Sequence, residues 1–329
     1  MRYTRDDDNI FFSALIVFTL QQLKSSLPLE SIPPVERLIE NVIANYSRYR
    51  HYADTTTYNF WQQRRDGHFP NGLLLKRLSF FALAADADDT SVIYLTDPSD
   101  NAAETIKTTL EAHYPGNAPI SPITPAAYQD LKPYPTFLGK KVKREMDVCV
   151  VCNVLYLVFR NNLPLSSTDT DSLEFIQRVL ELEDYREAAF FVSPNYGSPA
   201  VILYHIARIA GTFHHQRLKK IETLLIECLR KEYQKSNTFM ESLLLRISLL
   251  RFKIITPLLK PNRGPEHYFK DFYFFQAGML TSLQYPWLNR LANASFFHLK
   301  YRCDAYYWTL WLEYHVLYQR AIQDHQVLT

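Results

Sequence analysis

Glycine is scarce in this sequence, with only 8 residues among 329. Glycine supplies the left-handed turns that link short strands, and it lines the phosphate-binding loop of dinucleotide folds. The shortage argues against a sheet-rich fold built on many tight turns. It also argues against a glycine-rich nucleotide-binding fold.

Cysteine is sparse as well, and the chain contains four, at Cys149, Cys152, Cys228 and Cys303. So few thiols in so long a chain indicate reduced, buried side chains rather than a disulfide framework. Cys149 and Cys152 have the CxxC spacing of a zinc or redox site. They lie inside an apolar run, without a second CxxC pair or a nearby histidine, so we predict no metal site there.

A strong excess of charge and a long apolar run are also lacking. The formal net charge is +2, which gives no reason to expect nucleic acid or an anionic membrane as a partner. The longest early apolar run, Ile10–Leu20, is too short to cross a bilayer. The segment Met1–Asp8 is acidic and shows no signal-peptide pattern. We therefore expect a cytoplasmic protein, and we leave open a peripheral membrane contact for collecting an apolar substrate.

Apolar residues make up 47% of the chain and aromatic residues 14%, enough for a large core. Six segments share one pattern, in which a short polar residue that can cap a helix precedes strongly apolar residues. These segments are 8–14, 88–92, 147–150, 198–201, 237–240 and 304–307. The pattern predicts six helices that are buried between other helices.

Four further segments are amphipathic, with charged outer faces. They are Val35–Arg48, Ala102–His113, Ser172–Leu182 and Leu218–Tyr233. Buried and amphipathic helices thus alternate along the chain, and such helix pairs must stack on their neighbours to bury their apolar faces. We predict an all-α fold, an (α/α)6 toroid formed as a single domain over residues 1–329, with the six capped ends around one pocket mouth. The stretch 114–134 is interpreted as a loop, and 260–275 as irregular chain with a short strand at 267–274.

Asp86-Ala87-Asp88-Asp89-Thr90 is the most specific local signal in the chain. Crowded carboxylates repel one another, and burial beside an apolar core also favours their protonated form. An adjacent helix N-terminus opposes this by favouring the charged form. The combination predicts a protonated yet fairly strong acid, as needed to protonate a carbon–carbon double bond. A helix cap is the plainer alternative, but a cap needs only one of the three carboxylates.

This segment resembles the DxDDT motif of class II terpene cyclases, the superfamily of squalene-hopene cyclase and copalyl diphosphate synthase. Asp66-Gly67-His68-Phe69-Pro70 looks like the turn that precedes the motif in such toroids, and Asp147–Leu155 is similar to the "D-x-VVNANVL" helix of their bacterial relatives. The helix starts at 8–11 and 198–200 also look like those of that group. The resemblance implies a cyclase β-domain in which Asp88 donates a proton, while Asp86 and Asp89 keep it protonated and oriented. The chain is too short for the second toroid of many such cyclases, and it lacks the Q-x5-W repeats of triterpene cyclases.

Aromatic and basic residues are the candidates for substrate binding. The aromatic candidates on the predicted inner helices are Tyr156, Tyr204, Phe239, Tyr307, Trp308 and Trp311. Ring faces stabilise a passing cation by about 0.5–2 kcal/mol each, although core packing is the alternative for any single ring. In the run 140–144, Lys141 and Arg144 are candidates for a substrate diphosphate, with a solvated loop as the alternative. We predict no cofactor, and we would expect Mg²⁺ only if the substrate bears a diphosphate.

Two functions follow from these observations. The first is a class II terpene cyclase-like isomerase, which cyclises a polyprenoid after protonation by Asp88. The second is a non-catalytic toroid that binds an apolar ligand or a partner protein. In the first case a partner protein could also complete the pocket. A toroid glycosidase, with two carboxylates across a polar pocket, is disfavoured because the inner helices are apolar.

Overall fold

The structure is a computed structural model. It describes residues 4, 6–51, 56–62, 84–97, 102–112, 120–121, 123–138, 144–278 and 289–328. The predicted turn at 66–70 and most of the basic run at 140–144 lie outside these ranges.

The described chain is mostly helical, which confirms the predicted all-α class. Its helices are α1 Phe11–Leu23, α2 Ile32–Ile43, α3 Ala87–Thr96, α4 Ala103–Ala112, α5 Val148–Arg160, α6 Ser167–Glu181, α7 Asp184–Glu187, α8 Ala189–Val192, α9 Pro199–Ala210, α10 Gln216–Lys235, α11 Phe239–Leu250, α12 Asn289–Ala292 and α13 Asp304–Leu328. Four short strands, β1 Ala85–Asp86, β2 Phe137–Leu138, β3 Phe275–Gly278 and β4 His298–Tyr301, form two antiparallel pairs, β1–β2 and β3–β4.

Six apolar helices contact one another in a closed series. Helix α1 packs on α3, α3 on α5, α5 on α9, α9 on α11, α11 on α13, and α13 returns to α1. The helices of this series are the ones that follow the six predicted capping segments. Every residue of α3 is buried, and so are nearly all residues of α5 and α9. The main hydrophobic cluster extends from Ile10 to Ala321 and includes residues of all six.

The four amphipathic segments are helices that pack on members of this series. Helix α2 packs on α1, α4 on α5, α6 on α5 and α10, and α10 on α9 and α11. In α10 the buried positions repeat at helical spacing, at Leu218, Ile221, Leu225 and Leu229, while the charged residues between them face outward. The predicted helices are therefore present, although α2 and α6 begin several residues earlier than predicted.

The predicted caps are only partly those of the structure. Asp147 and Thr238 cap α5 and α11 by accepting hydrogen bonds from backbone N–H groups of the first turn. Ser198 is the N-cap of α9 by backbone position, but its side chain makes no capping bond and Pro199 needs none. Helix α1 is capped by neither Asp8 nor Asn9, because it begins one residue later, after Ile10. Asp8 instead accepts a hydrogen bond from the Tyr49 hydroxyl at 2.8 Å.

The strand predicted at 267–274 is wrong. The residues Pro265–Tyr268 form a 3-10 turn, and the strand β3 begins only at Phe275. A buried tyrosine explains the difference, because the Tyr307 hydroxyl donates to the Phe272 carbonyl at 3.0 Å and accepts from the Phe274 amide at 3.3 Å. The backbone groups before β3 are thus bonded to α13 rather than to a neighbouring strand.

Three of the four cysteines are buried, Cys303 is partly buried, and all four are free thiols. Within the described ranges, no helix has both the length and the apolar character needed to cross a membrane.

We predict that Asp147→Ala lowers the free energy of unfolding by about 3 kcal/mol, because it removes a helix cap and leaves buried donors without partners. Ser198→Ala at the start of α9 is the matched control and should cost less than about 0.5 kcal/mol, because its side chain caps nothing. Urea unfolding followed by circular dichroism measures both. Equal losses in the two variants would contradict the assigned role of Asp147.

A candidate acid site at the start of helix α3

Asp86 organises the N-terminus of α3. Its backbone is extended, at φ −109° and ψ 127°, and its N–H donates to the Tyr58 carbonyl at 2.9 Å. Its carboxylate accepts the backbone N–H of Asp88 at 2.7 Å and that of Asp89 at 3.3 Å. The helix cap is therefore Asp86, and the carboxyls of Asp88 and Asp89 are left for other contacts.

The three carboxyls lie within the protein, with exposed fractions of 8% for Asp86, 3% for Asp88 and 1% for Asp89. Asp88 accepts hydrogen bonds on both oxygens from neighbouring elements. The side-chain amide of Asn153, on α5, donates to Oδ1, and the Tyr196 hydroxyl, just before α9, donates to Oδ2. The middle carboxyl of the motif is thus fixed by two donors that are far away in sequence.

A buried arginine extends this chain of hydrogen bonds. Arg208 is 2% exposed, and its Nη2 donates to the Oδ1 atom of Asn153. Its guanidinium also lies over two rings, 4.9 Å from the centroid of Phe18 and 5.5 Å from that of Tyr204. Aromatic faces therefore shield the positive charge from water. Only the Asn153 side chain lies between this charge and Asp88 in the chain of hydrogen bonds.

Asp89 differs from its neighbours, because neither of its carboxyl oxygens has a hydrogen-bond partner among the described residues. Burial, together with the charges of Asp86 and Asp88, raises the pKa of Asp89 well above its usual value. A charged carboxylate without partners in such a place would be very costly. The burial of Asp89 without a hydrogen-bond partner among the described residues therefore favours its protonated form.

The other two carboxyls of the motif also have raised pKa values. Burial raises the pKa of Asp86, and the charge of Asp88 adds to this effect. Burial likewise raises the pKa of Asp88, but the hydrogen bonds from Tyr196 and Asn153 and the charge of Arg208 act in the opposite direction. Asp88 thus combines a preference for the protonated form with a prepared environment for its carboxylate.

Asp147, the cap of α5, is a fourth buried carboxyl beside this site. It accepts hydrogen bonds from the Ser193 hydroxyl at 2.6 Å, the Asn195 backbone N–H at 2.9 Å and the Cys149 backbone N–H at 2.9 Å. Burial raises the pKa of Asp147 to about 6, although these bonds lower it. The starts of α3 and α5 and the segment before α9 therefore meet at one buried, acidic place.

Aromatic rings pack beside the acid site. The Tyr196 ring lies with its centroid 4.7 Å from His205, 6.0 Å from Phe274 and 6.0 Å from Phe11. Phe274 continues the cluster to Tyr306, at 4.8 Å. All five residues are buried. The interior next to Tyr196 is thus occupied by side chains, most of them aromatic.

The aromatic residues predicted to bind substrate are distributed over several clusters. Tyr156 packs on Phe18 at 5.0 Å, and the Tyr204 hydroxyl donates to Glu313 at 2.8 Å. Glu313 also pairs with Arg251, which gives a second buried polar group between α11 and α13.

The remaining aromatic candidates lie on α11 and α13. Phe239 is partly buried and stacks on Tyr268 at 4.4 Å, and Trp311 lies 5.5 Å from Phe239. Tyr307 is fully buried and is bonded to the backbone before β3. Trp308 is 44% exposed, because the helix turns it about 100° away from Tyr307. It faces solvent, whereas an inner position was expected.

The basic candidates are only partly described. Lys141 lies outside the described residues, as do Lys140 and Lys143. Arg144 is 9% exposed, and its carbonyl accepts the Ser121 N–H at 2.8 Å. The buried position of Arg144 is not that of a solvated loop residue.

The surface cavities among the described residues include two of about 330 and 340 Å³. The first is lined by residues that include Arg186, Gln276 and His298, and the second lies between the start of α9, the end of α10 and the start of α11. Asp88 lines neither of them. The described residues contain no group of three or more histidine, cysteine, aspartate or glutamate side chains placed to hold a metal ion.

Sequence reasoning singled out the three aspartates but not their partners. Asn153 lies within the quoted stretch Asp147–Leu155, and an amide inside such an apolar helix was a signal that could have been used. Arg208 gives the same kind of signal in α9. Tyr196 lies in a loop, and nothing in its local sequence distinguishes it from other tyrosines.

Comparison with protein families, with curated proteins and with solved structures found no match to this chain.

We predict that Asp89→Asn makes the free energy of unfolding less dependent on pH. A carboxyl whose folded pKa is raised contributes stability below its unfolded pKa of about 4, and this contribution is lost as the pH rises toward the folded value. Each such group gives a fall of about 1.4 kcal/mol per pH unit. The variant removes one of these groups, so urea unfolding between about pH 5 and about pH 8 should show a smaller slope than the wild type.

The matched control is Asp130→Asn. Asp130 is an exposed carboxyl whose pKa is lowered by its hydrogen bond with Arg178, so it is charged in both folded and unfolded chains over this range. Its replacement should leave the slope unchanged. A slope in Asp89→Asn that equals that of the wild type would show that Asp89 is ionised in the folded protein.

Proposed function

We propose that this protein is a class II terpene cyclase-like enzyme, which starts the cyclisation of a polyprenoid by donating a proton from Asp88. The observation that carries the proposal is the contact set of the middle carboxyl of the DxDDT-like segment. It is buried at a helix N-terminus between two other carboxyls, and Asn153 and Tyr196 donate to its two oxygens. Asp86 is the cap of α3. Asp88 is therefore not needed as a cap, and capping does not explain the two donors that contact it.

The proposed step is proton transfer from Asp88 to a carbon–carbon double bond. The O–H bond of Asp88 breaks, the π electrons of the alkene form a new C–H bond, and a carbocation remains on the adjacent carbon. Asp88 becomes a carboxylate, which is stabilised by Tyr196, Asn153 and the nearby charge of Arg208. Further double bonds of the same chain then attack the cation and close rings, the final cation loses a proton to water, and Asp88 regains a proton from solvent. The product is an isomer of the substrate.

Asp86 and Asp89 would tune this acid. A protonated Asp89 keeps negative charge near Asp88 low, and Asp86 holds the first turn of α3 through the backbone amides of Asp88 and Asp89. Buried ring faces such as those of Tyr156 and Tyr204 would stabilise the cation by about 0.5–2 kcal/mol each.

We propose the (α/α)6 toroid as the fold that holds this site, as one domain resembling a cyclase β-domain. The closed series of contacts through α1, α3, α5, α9, α11 and α13 supports it, with amphipathic helices packed between and outside the members of the series. In a ring of this kind the starts of parallel inner helices lie at one end. The meeting of the starts of α3 and α5 at the acid site agrees with that arrangement.

The substrate of the proposed enzyme is an isoprenoid, and the basic run at 140–144 is proposed to bind its diphosphate if it has one. Mg²⁺ would be needed only in that case. A cytoplasmic location with peripheral membrane contact fits an apolar substrate, and a partner protein that completes the pocket remains part of the proposal.

A non-catalytic toroid that binds an apolar ligand or a partner protein is the second candidate. The observation in its favour is the packed aromatic cluster around Tyr196, Phe274 and Tyr306, which occupies the interior beside Asp88. A cyclase must move these rings or use space beyond them to bring an alkene to Asp88.

We predict that Asp88→Asn abolishes cyclisation, with a loss of at least about 10³-fold in turnover, because it removes the transferable proton while keeping the volume of the side chain. Purified protein is incubated with prenyl diphosphates of several lengths and with squalene, and the extract is analysed for cyclic products. Asp86→Asn and Asp89→Asn should reduce turnover less, since these residues tune the acid. Asp130→Asn, at the surface, should leave turnover unchanged.

Two results would contradict the proposal. If Asp88→Asn retains the activity of the wild type, Asp88 is not the acid. If the wild type forms no cyclic product from any of these substrates, the binding function is favoured, and retention of a radiolabelled polyprenoid by the folded protein then tests it directly.

We also predict that replacing Lys140, Lys141, Lys143 and Arg144 together by glutamine raises the KM for a prenyl diphosphate by about tenfold or more, as each lost phosphate contact weakens binding by roughly 1 kcal/mol or more. Any fall in the free energy of unfolding should come from Arg144, the buried member of the run. Squalene has no diphosphate, so any turnover of squalene provides the internal control. An unchanged KM would show that the run does not bind the diphosphate.

A further inference from the structure

The hydrogen bonds around Asp88 have a direction that the chemistry of arginine imposes. A guanidinium group can only donate hydrogen bonds. The atom of Asn153 that contacts Arg208 must therefore be the carbonyl oxygen Oδ1. The other end of the same amide, Nδ2, then faces Asp88 and can only donate to it. Arg208 thus determines the orientation of the Asn153 amide.

This orientation distinguishes the two oxygens of Asp88. A proton on Oδ1 would make that oxygen the hydroxyl of the carboxyl, which is a much weaker acceptor than a carbonyl oxygen, so the N–H of Asn153 would lose its good acceptor. A proton on Oδ2 meets the hydroxyl of Tyr196 instead, and a hydroxyl can accept as well as donate. In the protonated acid, Oδ1 is then the carbonyl oxygen and Oδ2 carries the hydrogen. After proton transfer, the Tyr196 hydroxyl rotates and donates to the new carboxylate.

We infer that Arg208 is a positioning residue, which fixes the Asn153 amide so that Asp88 carries its transferable proton on Oδ2, the oxygen that faces Tyr196. The role of this proton in cyclisation rests on the proposed function, whereas its position on Oδ2 does not. The inference adds three residues, Arg208, Asn153 and Tyr196, to an acid known from sequence only as a run of aspartates.

The surroundings of Asp88 support this role for Arg208. The ionisable groups close to Asp88 on its own helix and just before it are Asp86 and Asp89, and both oppose a second negative charge. Helix α5 with its cap adds Asp147, Cys149 and Cys152, whereas helix α1, which also packs on α3, has no ionisable side chain. Tyr196 and Arg208 face Asp88 from α9 and the segment before it. Among these groups, Arg208 carries the positive charge that lowers the pKa of Asp88. Its removal should therefore make Asp88 a weaker acid.

Infrared spectroscopy tests the inference without any substrate. The carboxyl C=O band of protonated Asp88 is identified as the band that disappears in Asp88→Asn, and its loss with rising pH reports the pKa. Wild type should show one narrow band. In Arg208→Met the amide of Asn153 is free to turn, so we expect two bands and a pKa raised by about one unit or more, a tenfold change in proton affinity. Arg208→Lys keeps a charged group that can only donate, and it should restore a single band.

Asn153→Leu is the second variant, because it removes the donor while Arg208 can remain between the rings of Phe18 and Tyr204. The inference expects the C=O band to move to higher frequency, since the carbonyl oxygen Oδ1 has lost its hydrogen bond. Arg251→Met is the matched control. It also removes an arginine, a partly buried one that pairs with Glu313, and it should leave the Asp88 band and pKa unchanged. Circular dichroism shows which variants are folded.

The outcomes separate this inference from the proposed function. A single unshifted band and an unchanged pKa in folded Asn153→Leu, or in folded Arg208→Met, would overturn the inference even if the wild type cyclises polyprenoids. The expected band shifts in a protein without cyclase activity would support the inference and refute the proposed function. Where the wild type is active, Arg208→Met should lower kcat at least about tenfold with little change in KM, and Arg208→Lys should recover part of it.

Discussion

The hydrogen bonds that Asp88 receives from Asn153 and Tyr196 join three elements that are far apart in sequence. Asp88 belongs to α3, Asn153 to α5, and Tyr196 to the segment that leads into α9, while Arg208 anchors Asn153 from the last turn of α9. Breaking one member leaves a buried polar atom without a partner, which costs about 1–3 kcal/mol. The packing of α3 on α5 and of α5 on α9 therefore brings together polar groups that depend on one another, and apolar side chains surround them on all three helices.

The helical class and the main helices could be predicted because local sequence rules act on each helix separately. Asp147 and Thr238 are short polar residues that precede apolar runs, and both cap the helices that follow them. The outer helices show the expected spacing of apolar positions. The start of α1 could not be predicted in the same way. Asp8, one of the residues expected to cap it, instead accepts a hydrogen bond from Tyr49, which lies far along the chain. The short strand was misplaced for a similar reason, because Tyr307 of α13 satisfies the backbone around Phe272 and Phe274.

The candidate site, too, has features that sequence could predict and features that it could not. Asp86, Asp88 and Asp89 are adjacent, so sequence alone predicts that they are crowded and that one is a cap. Sequence could not show that Asp86 is the cap, that Asp89 has no hydrogen-bond partner among the described residues, or that Asp88 contacts Tyr196, since these depend on how α3, α5 and α9 are packed. Trp308 illustrates the opposite limit. Its neighbour Tyr307 is buried, and one step along a helix is enough to bring a ring from the core to the surface.

The packing of α13 on α1 has a consequence for synthesis of the chain. The apolar face of α1 emerges from the ribosome before the other described helices, but one of its two principal helical neighbours, α13, is translated last among them. At about 5–20 residues per second, roughly 15 to 55 seconds separate the two. During that interval the α1 surface that α13 will cover is exposed to other nascent chains. The closed series of helices thus leaves this surface of α1 uncovered until α13, the last of the described helices, has been made, and a ribosome that stops before α13 releases a chain in which the surface stays exposed.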